Sequence, residues 1–364
     1  MFTADHHRPS HRAPRITSEG TTMIDRSAWA EPGVETLHPG VHRIPLPLPS
    51  DALRAVNVYV LEDLAEDDGL LLVDSGWATP EARQALEEGL AAIGRDLTEI
   101  RDILVTHVHR DHYTHAVELR RSLGCRVHLG AGERRGLELL NERRGGLSFL
   151  LRTLCQAGAT ALAEEVRPLY PDDYDPRDWA APDHWLGEET LRFPGGGLRV
   201  VPTPGHTRGH VVYLDERRGL MFSGDHVLPH ITPSVGFEPA DPGGRPLADF
   251  LDSLHLMTRY ADARLLPAHG PVTDSVHARV AELLAHHEDR LCATLTALGD
   301  GANDAFGVAR RLTWTRREVP FGDLDAVNRM LAVNETVAHL DVLVLRGRTT
   351  VETADGTHRY ARVR

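Results

Sequence analysis

The stretch THVHRDH at residues 106–112 constrains this chain more than any other part of the sequence. It places three histidines and one aspartate within six positions, directly after an apolar run at 103–105 that predicts a buried strand. Binding sites of α/β proteins lie at such strand ends. Side chains alternate in an extended segment, so His107 and His109 project to the same side and can hold one ion. Asp111 and His112 enter the next helix and can reach a second ion.

The side-chain chemistry of this stretch points to a metal. Imidazole and carboxylate ligands without a thiolate are typical of zinc and also occur with iron or manganese. A single histidine would be weak evidence for a metal site, because the chain contains 22 histidines. However, three later apolar runs also end in a ligand-type residue beside a glycine: His206 in VVPTPGH, Asp225 in LMFSGD and His269 in LLPAHG. This repeated strand-then-turn pattern predicts that these residues join the first cluster.

Taken in order, the segments THVHRDH, PGHTRGH, SGDH and PAHG resemble the metal-binding motifs of the metallo-β-lactamase superfamily, over residues 35–275. The resemblance implies an α/β fold, the αβ/βα four-layer sandwich. It also implies a binuclear metal centre, with zinc as the expected ion. His107, His109 and His206 would hold one ion, Asp111, His112 and His269 would hold the other, and Asp225 would bridge the two.

Two neighbouring cations imply a hydrolase. Metals roughly 3.5 to 4 Å apart can share one water and lower its pKa from about 15.7 toward 7, which supplies hydroxide at neutral pH. This bridging hydroxide would attack an activated small-molecule acyl substrate, such as a thioester, a lactone or a related ester, while the metals stabilise the oxyanion. Asp111 is the predicted catalytic residue, because it can orient the hydroxide as well as bind a metal.

Further residues near the motifs are candidates for supporting roles. Tyr113 begins the sequence YTHA where many members of the superfamily have two glycines, so the floor of the pocket should differ here, and we predict a substrate contact. His226 and His230 follow the bridging aspartate and are also predicted substrate contacts. Asp74 stands where the superfamily commonly has an aspartate just outside the metal ligands, and it either supports a ligand or stabilises a turn.

Two alternative functions stay open. The C-terminal helices and the alternating sequence around Asp355-Gly356, which predicts a hairpin, resemble a winged-helix module. A metallo-β-lactamase domain with such a tail is similar to the lactamase-β-like-protein-2 group, which includes an endoribonuclease. A nuclease is therefore the first alternative, although a formal charge of −13 opposes nucleic-acid binding. The second alternative is a mononuclear iron persulfide dioxygenase, because its ligands are similar.

Cysteine usage and the pattern of apolar residues suggest the cellular compartment of the protein. Its three cysteines, Cys125, Cys155 and Cys292, form no C-x-x-C pair, which is typical of a reducing compartment. The N-terminal residues lack the apolar core of a signal peptide, and no run of 18 apolar residues predicts a membrane helix. We therefore expect a cytoplasmic protein without membrane contact. The oligomeric state is left open.

The predicted domain organisation has three parts. Residues 1–33 are expected to form a flexible tail, in which either Met1 or Met23 is the start of translation. Residues 34–275 are the predicted catalytic domain, and 276–364 the predicted winged-helix-like domain. Within the catalytic domain, 130–190 exceeds what the fold needs and predicts a lid over the site. Its arginine pairs at 134–135 and 143–144 either bind an anionic group or form Glu–Arg pairs on a solvated helix face.

Overall fold

The computed structural model describes residues 28–49, 53–65, 68–143, 147–169, 175–236, 244–299, 303–315 and 317–363. Most of the predicted tail, residues 1–27, therefore lies outside the described residues. The second arginine pair of the predicted lid also falls outside them, since residue 144 and the side chain of Arg143 are not described.

Two β-sheets form the centre of the described part of the chain. The first runs in sequence order through β1 (Glu35–His38), β2 (Val41–Pro47), β3 (Ala55–Leu61), β4 (Leu70–Val73), β5 (Ile100–Val105), β6 (Arg126–Gly130) and β7 (His184–Leu186). The second comprises β8 (Glu189–Phe193), β9 (Gly196–Pro202), β10 (Val211–Asp215), β11 (Leu220–Gly224) and β12 (Arg264–Pro267), with β8 and β12 at its edges. In the first sheet, β4 to β7 pair in parallel, and in the second β11 and β12 do so.

Helices cover the sheets and fill the C-terminal third. They are α1 (Pro80–Ala92), α2 (Arg110–Leu123), α3 (Glu133–Arg143), α4 (Leu147–Gln156), α5 (Thr160–Val166), α6 (Pro246–Met257), α7 (Val276–Gly299), α8 (Ala305–Ala309) and α9 (Ala326–Leu345). Short strand pairs follow α8 and α9, namely β13 (Thr313–Trp314) with β14 (Val319–Pro320) and β15 (Thr349–Ala354) with β16 (Thr357–Arg362). Among the described residues, no helix combines the length and apolar character needed to cross a membrane.

Alternating side chains divide the interior into layers. On β4, Leu70 and Leu72 pack in one cluster with α1 and α2, whereas Leu71 and Val73 pack in another with the second sheet. Strands β9 to β12 repeat the alternation, so their opposite faces contact the first sheet and the helices α6 and α7. The resulting order of helices, sheet, sheet and helices confirms the αβ/βα four-layer sandwich.

Helix α2 begins at Arg110, so Asp111 and His112 enter it as predicted. The carbonyl of His109 accepts hydrogen bonds from the amides of both His112 and Tyr113, at 3.1 and 3.0 Å. This start puts Asp111 in the first turn of the helix, where the helix dipole favours a carboxylate.

The C-terminal segment packs directly on the second sheet. Its predicted hairpin is confirmed, because Ala354 pairs with Thr357 and leaves Asp355 and Gly356 as a two-residue turn with φ of 51° and 75°. Helices α7 and α9 bury their apolar faces in the same core as α6 and the outer face of the second sheet. The domain boundary at 275/276 and the winged-helix assignment stay predictions.

Candidate metal centre

The predicted ligands converge from four loops. The loop after β5 and the start of α2 supply four of them, and the loops after β9, β11 and β12 supply one each. In the described part of the chain, three groups of side chains place their ligand atoms within 4.8 Å of one another. The groups are His107, His109 and His206; His107, His112 and Asp225; and Asp111, His112 and His269. All seven predicted ligands belong to these groups.

The first group is a triangle of imidazoles. The Nε2 atoms of His107 and His206 each lie 3.0 Å from Nδ1 of His109. The three ring centroids are 4.6 to 4.8 Å apart. Nitrogens that bind zinc at about 2.1 Å in a tetrahedral arrangement are separated by roughly 3.4 Å, close to this spacing. Three imidazoles with a fourth position left for water or substrate form the usual ligand set of a catalytic zinc site.

The second group combines two imidazoles with two carboxylates. His269 Nε2 lies 3.4 Å from both Asp111 Oδ2 and Asp225 Oδ1. His112 Nε2 lies 3.7 Å from the same two oxygens. The other oxygen of Asp225, Oδ2, lies 3.4 Å from His206 Nε2 in the first group. One oxygen of Asp225 therefore faces each group, which is the arrangement a bridging carboxylate requires.

Unpartnered atoms gather inside the second group. His112 Nε2, His269 Nε2 and Asp225 Oδ1 are buried, and none of them has a hydrogen-bond partner among the described residues. Each such buried polar atom costs about 1–3 kcal/mol when it stays unpaired. Their position around one point, with a donor set of imidazole nitrogen and carboxylate oxygen, fits a divalent cation such as zinc, iron or manganese.

Hydrogen bonds on the far side of the rings orient the ligands. Nδ1 of His206 donates to the carbonyl of Ser234 at 2.7 Å, and Nδ1 of His269 donates to the carbonyl of Ala55 at 2.8 Å. Because a carbonyl only accepts, the proton of each ring lies on Nδ1. Each Nε2 is therefore left with a lone pair that points into the group, as metal binding requires.

Asp74 supports both the metal loop and a ligand. Its carboxylate accepts a hydrogen bond from the Thr106 amide at 2.8 Å and from His112 Nδ1 at 2.9 Å, and it is 2% exposed. The Thr106 hydroxyl donates to the same carboxylate at 3.0 Å, so its oxygen accepts from His107 Nδ1, also at 3.0 Å. Asp74 therefore supports a ligand, which is one of the two roles considered for it, and it also holds the start of the metal loop.

The two groups differ in their electrostatics. Burial lowers the pKa of His109 to about 3 and that of His206 to about 4, so these rings are neutral at neutral pH. In the second group, burial opposes a charge on His112, but the nearby carboxylates, first that of Asp74, raise its pKa to about 10. A pocket whose carboxylates favour positive charge this strongly attracts a cation.

His210 supports the bridging position, although it is not among the predicted ligands. Its Nε2 accepts from the amide of Asp225 at 3.1 Å, and its ring stacks on His107 with a centroid distance of 5.1 Å. Gly224 lies against it with φ of 50°, and a Cβ there would meet Thr106 Oγ1 at 2.6 Å and His210 Nε2 at 2.7 Å. Its place in PGHTRGH is the signal that could have identified His210.

Glu133 joins two of the metal loops. It is fully buried, and its Oε1 accepts from the amide of Val108 at 3.3 Å and from the hydroxyl of Thr207. These partners lie beside ligands of the first group in two different loops. No sequence signal identifies this role, because Glu133 belongs to an Arg- and Glu-rich segment of the predicted lid.

Two of the predicted substrate contacts are buried side chains. Tyr113 is fully buried, and its hydroxyl donates to the carbonyl of Ala180 at 2.6 Å, because α2 turns this side chain into the core. His226 is also fully buried, with its ring 5.1 Å from that of Phe250. His230 is half-buried. A substrate contact stays a prediction for all three residues.

A cavity of about 930 Å³ adjoins the first group. His206 lines it together with the loop at 204–208, the N-terminal end of α6, and residues of α4, α9 and the hairpin β15–β16. The C-terminal segment thus forms a wall of the space beside the metal loops. Helix α4 belongs to the predicted lid, and it too lines this space.

The first arginine pair of the predicted lid lies elsewhere. The guanidinium of Arg134 lies over the Trp185 ring at 4.8 Å from its centroid. Arg135 pairs with Glu138 at 3.4 Å and with Glu142 at 3.5 Å, and it is exposed. Neither arginine lines the cavity. For Arg135 the structure therefore agrees with the Glu–Arg alternative on a solvated helix face.

Together, the four-layer fold and the convergent histidines and aspartates define a metallohydrolase. The chain belongs to the metallo-β-lactamase superfamily, whose family model matches residues 51–269. It is similar to the "Probable metallo-hydrolase YqjP" of Bacillus subtilis, with 26% identity over 311 residues that cover 83% of this chain and 90% of that protein.

Two further proteins are similar to this chain. A crystal structure of a metallo-beta-lactamase family protein from Thermus thermophilus matches with a TM-score of 0.71 and 32% identity, covering 90% of this chain and 100% of that one. An atrochrysone carboxyl ACP thioesterase of Aspergillus fumigatus is 26% identical over 258 residues, which cover 68% of this chain. The match spans 46% of that thioesterase, about half its length.

Proposed function

We propose that this protein is a binuclear zinc hydrolase that cleaves activated acyl compounds, with thioesters as the first substrate class and lactones as the second. The observation that carries the proposal is the position of Asp225, whose two carboxylate oxygens face two separate groups of ligands. A single-metal site needs no such carboxylate. The arrangement therefore favours two ions over the one iron of a persulfide dioxygenase.

The side chains of the metal centre have different roles. When bound, two divalent cations would lower the pKa of a shared water toward 7 and polarise the carbonyl under attack. Asp225 places negative charge between the two groups and offsets the repulsion between the cations. Asp111 is the more accessible carboxylate, with 18% of its side chain exposed against 10% for Asp225. It is therefore the group placed to orient the attacking water.

The surroundings favour a small acyl substrate over a nucleic acid. A cavity of about 930 Å³ suits a small molecule with an extended chain. The C-terminal segment, which would carry nucleic acid in the alternative function, lines this cavity with α9 and β16, and the chain carries a net charge of −13. A relative that matches 68% of this chain is named as a thioesterase, which supports the choice of thioesters.

The proposal is tested by metal analysis combined with turnover. We expect two equivalents of zinc per chain and cleavage of an acyl-CoA or an acyl-homoserine lactone. Activity should be lost with a chelator and restored by zinc. A cephalosporin, a short RNA and glutathione persulfide serve as comparison substrates. One iron per chain with consumption of oxygen, or preferential cleavage of the RNA, would contradict the proposal.

Asp111→Asn tests the catalytic role of this carboxylate separately. The amide keeps the shape but has no negative charge with which to orient the attacking water, so we expect kcat to fall by about 100-fold or more. Asp252→Asn is the control, because Asp252 is exposed on α6 and lies outside the three ligand groups. If Asp111→Asn retained two zinc ions and full turnover, Asp111 would have no catalytic role.

A further inference from the structure

The cavity beside His206 contains a polar residue that the proposed chemistry does not use. Asn334 of α9 lines this cavity and is 3% exposed. Neither its amide nitrogen nor its amide oxygen has a hydrogen-bond partner among the described residues. Buried polar groups in proteins are almost always paired. A carboxamide can donate and accept at the same time, so a matching ligand group is another amide.

The charge of the lining differs from that of the whole chain. Three arginines and two aspartates line the cavity, whereas the chain carries a net charge of −13. They are Arg152, Arg208, Arg245, Asp249 and Asp341. Arg152 is exposed on α4, and its guanidinium lies over the Phe149 ring at 5.6 Å. Stacking on a ring face leaves the N–H edge of a guanidinium directed outward, where it can bind an anion.

We propose that this cavity binds the thiol arm of the thioester substrate, and that the arm carries a secondary amide and a phosphate, as in phosphopantetheine. Asn334 pairs with the amide and determines specificity for it. Arg152 binds the phosphate through its guanidinium edge. His206 lines the same cavity, so the thioester carbonyl at the other end of the arm can reach the metal ligands. This inference rests on the proposed function.

Asn334→Leu tests the amide contact. Wild-type enzyme should cleave an acyl thioester of N-acetylcysteamine about tenfold more efficiently than one of an alkyl thiol of equal length, mostly through KM, and the variant should cleave both equally. The variant should also have a higher Tm, because leucine removes a buried amide without a partner. A higher KM for the amide-containing substrate together with higher stability is a result that a merely structural role for Asn334 would not produce.

The same helix offers a matched control. Asn328 of α9 is exposed, lies outside the cavity and donates to Asp325 at 2.7 Å. Asn328→Leu should therefore leave the preference for the amide substrate unchanged. If Asn334→Leu kept the wild-type preference, or if the wild-type enzyme showed none, the amide contact would be wrong.

Arg152→Gln tests the phosphate contact. It should weaken binding of the phosphorylated arm about tenfold and leave binding of the dephosphorylated arm unchanged. The control is Arg167→Gln, since Arg167 is exposed, pairs with Glu164 at 3.0 Å and lies outside the cavity. An equal loss for both arms, or none for either, would contradict the assignment of Arg152.

A binding measurement separates this inference from the proposed function. A thioether analogue of the arm cannot be hydrolysed, so calorimetry gives its Kd without turnover. If thioesters are cleaved but the amide and phosphate leave the Kd of the analogue unchanged, the arm site is wrong and the proposed function stands. If the Kd depends on both groups but neither a thioester nor a lactone is cleaved, the proposed function is wrong and the arm site stands.

The arm has two possible sources, a free coenzyme or a carrier protein. Turnover of the same acyl group is compared on coenzyme A, on phosphopantetheine alone and on a phosphopantetheinylated carrier protein. Equal efficiency with all three would assign recognition to the arm itself. Efficient turnover of the carrier-bound form alone, with the same loss in Asn334→Leu, would assign the protein-bound source. Loss of the Asn334 effect in all three would overturn the proposal.

Discussion

Replacing Asp74 by asparagine should weaken one metal position and spare the other. The carboxylate of Asp74 accepts from the Thr106 amide at 2.8 Å and from His112 Nδ1 at 2.9 Å. In Asp74→Asn, the remaining oxygen can keep the Thr106 bond, but the new NH₂ group then faces Nδ1 of His112. Two donors cannot pair, so His112 has to move its proton to Nε2, the atom that faces the second ligand group.

The size of the effect follows from two opposing contributions. Loss of a group that orients a metal ligand typically costs 10- to 100-fold in metal affinity, or about 1.4–2.7 kcal/mol. The opposing contribution is proton competition, because the pKa of His112, now about 10, falls when the Asp74 charge is removed. The tautomer effect is larger, since a protonated Nε2 cannot bind a metal. We therefore expect the second zinc to bind about tenfold more weakly.

The assay is a zinc titration against a chromophoric chelator, which resolves two dissociation constants. For Asp74→Asn we expect one constant to rise about tenfold, the other to stay within about twofold, and activity to return at excess zinc. Asp102→Asn is the control, because Asp102 is also 2% exposed and accepts from His128 at 2.7 Å, yet it belongs to none of the ligand groups. Two unchanged constants in Asp74→Asn would refute the reasoning.

Three further predictions address stability. Burial opposes ionisation of Asp102, but bonds from His128 and Arg126 lower its pKa from 3.8 to about 2. The ionised carboxylate should therefore contribute about 2 kcal/mol to the free energy of unfolding above pH 4, and this contribution should be lost as the pH falls toward 2. In urea unfolding, Asp102→Asn should lack this dependence on pH. A chelator should lower the Tm by about 5 °C, and added zinc should restore it, because zinc at 100 times its Kd stabilises the folded protein by about 2.7 kcal/mol. An unchanged Tm would contradict metal binding. Gly224→Ala should cost about 2–4 kcal/mol in urea unfolding, through its φ of 50° and its contact with Thr106. Gly219→Ala, with φ of 63° and nothing within 4 Å, should cost about 1 kcal/mol, and equal costs would contradict the contact.

Local sequence was sufficient to predict secondary-structure elements and the set of candidate metal ligands. Thr79 and Pro80 predict the start of α1, and in the structure Thr79 accepts from the amide of Ala82 at 3.1 Å. The Asp355-Gly356 pair predicts the turn between β15 and β16. Such features depend on residues only a few positions apart, so a linear pattern records them. The ligand motifs are equally local, since each ends a strand with histidine or aspartate beside a turn.

Only the tertiary structure decided which side chains meet. Tyr113 lies next to a predicted ligand in sequence, but the direction of α2 turns its side chain into the core. Conversely, Glu133 and Asn334 lie far from the motifs in sequence, yet packing places one between two metal loops and the other in the cavity beside His206. Which faces of α2, α3 and α9 become buried depends on contacts between residues far apart in the chain, and no local pattern in one sequence encodes them.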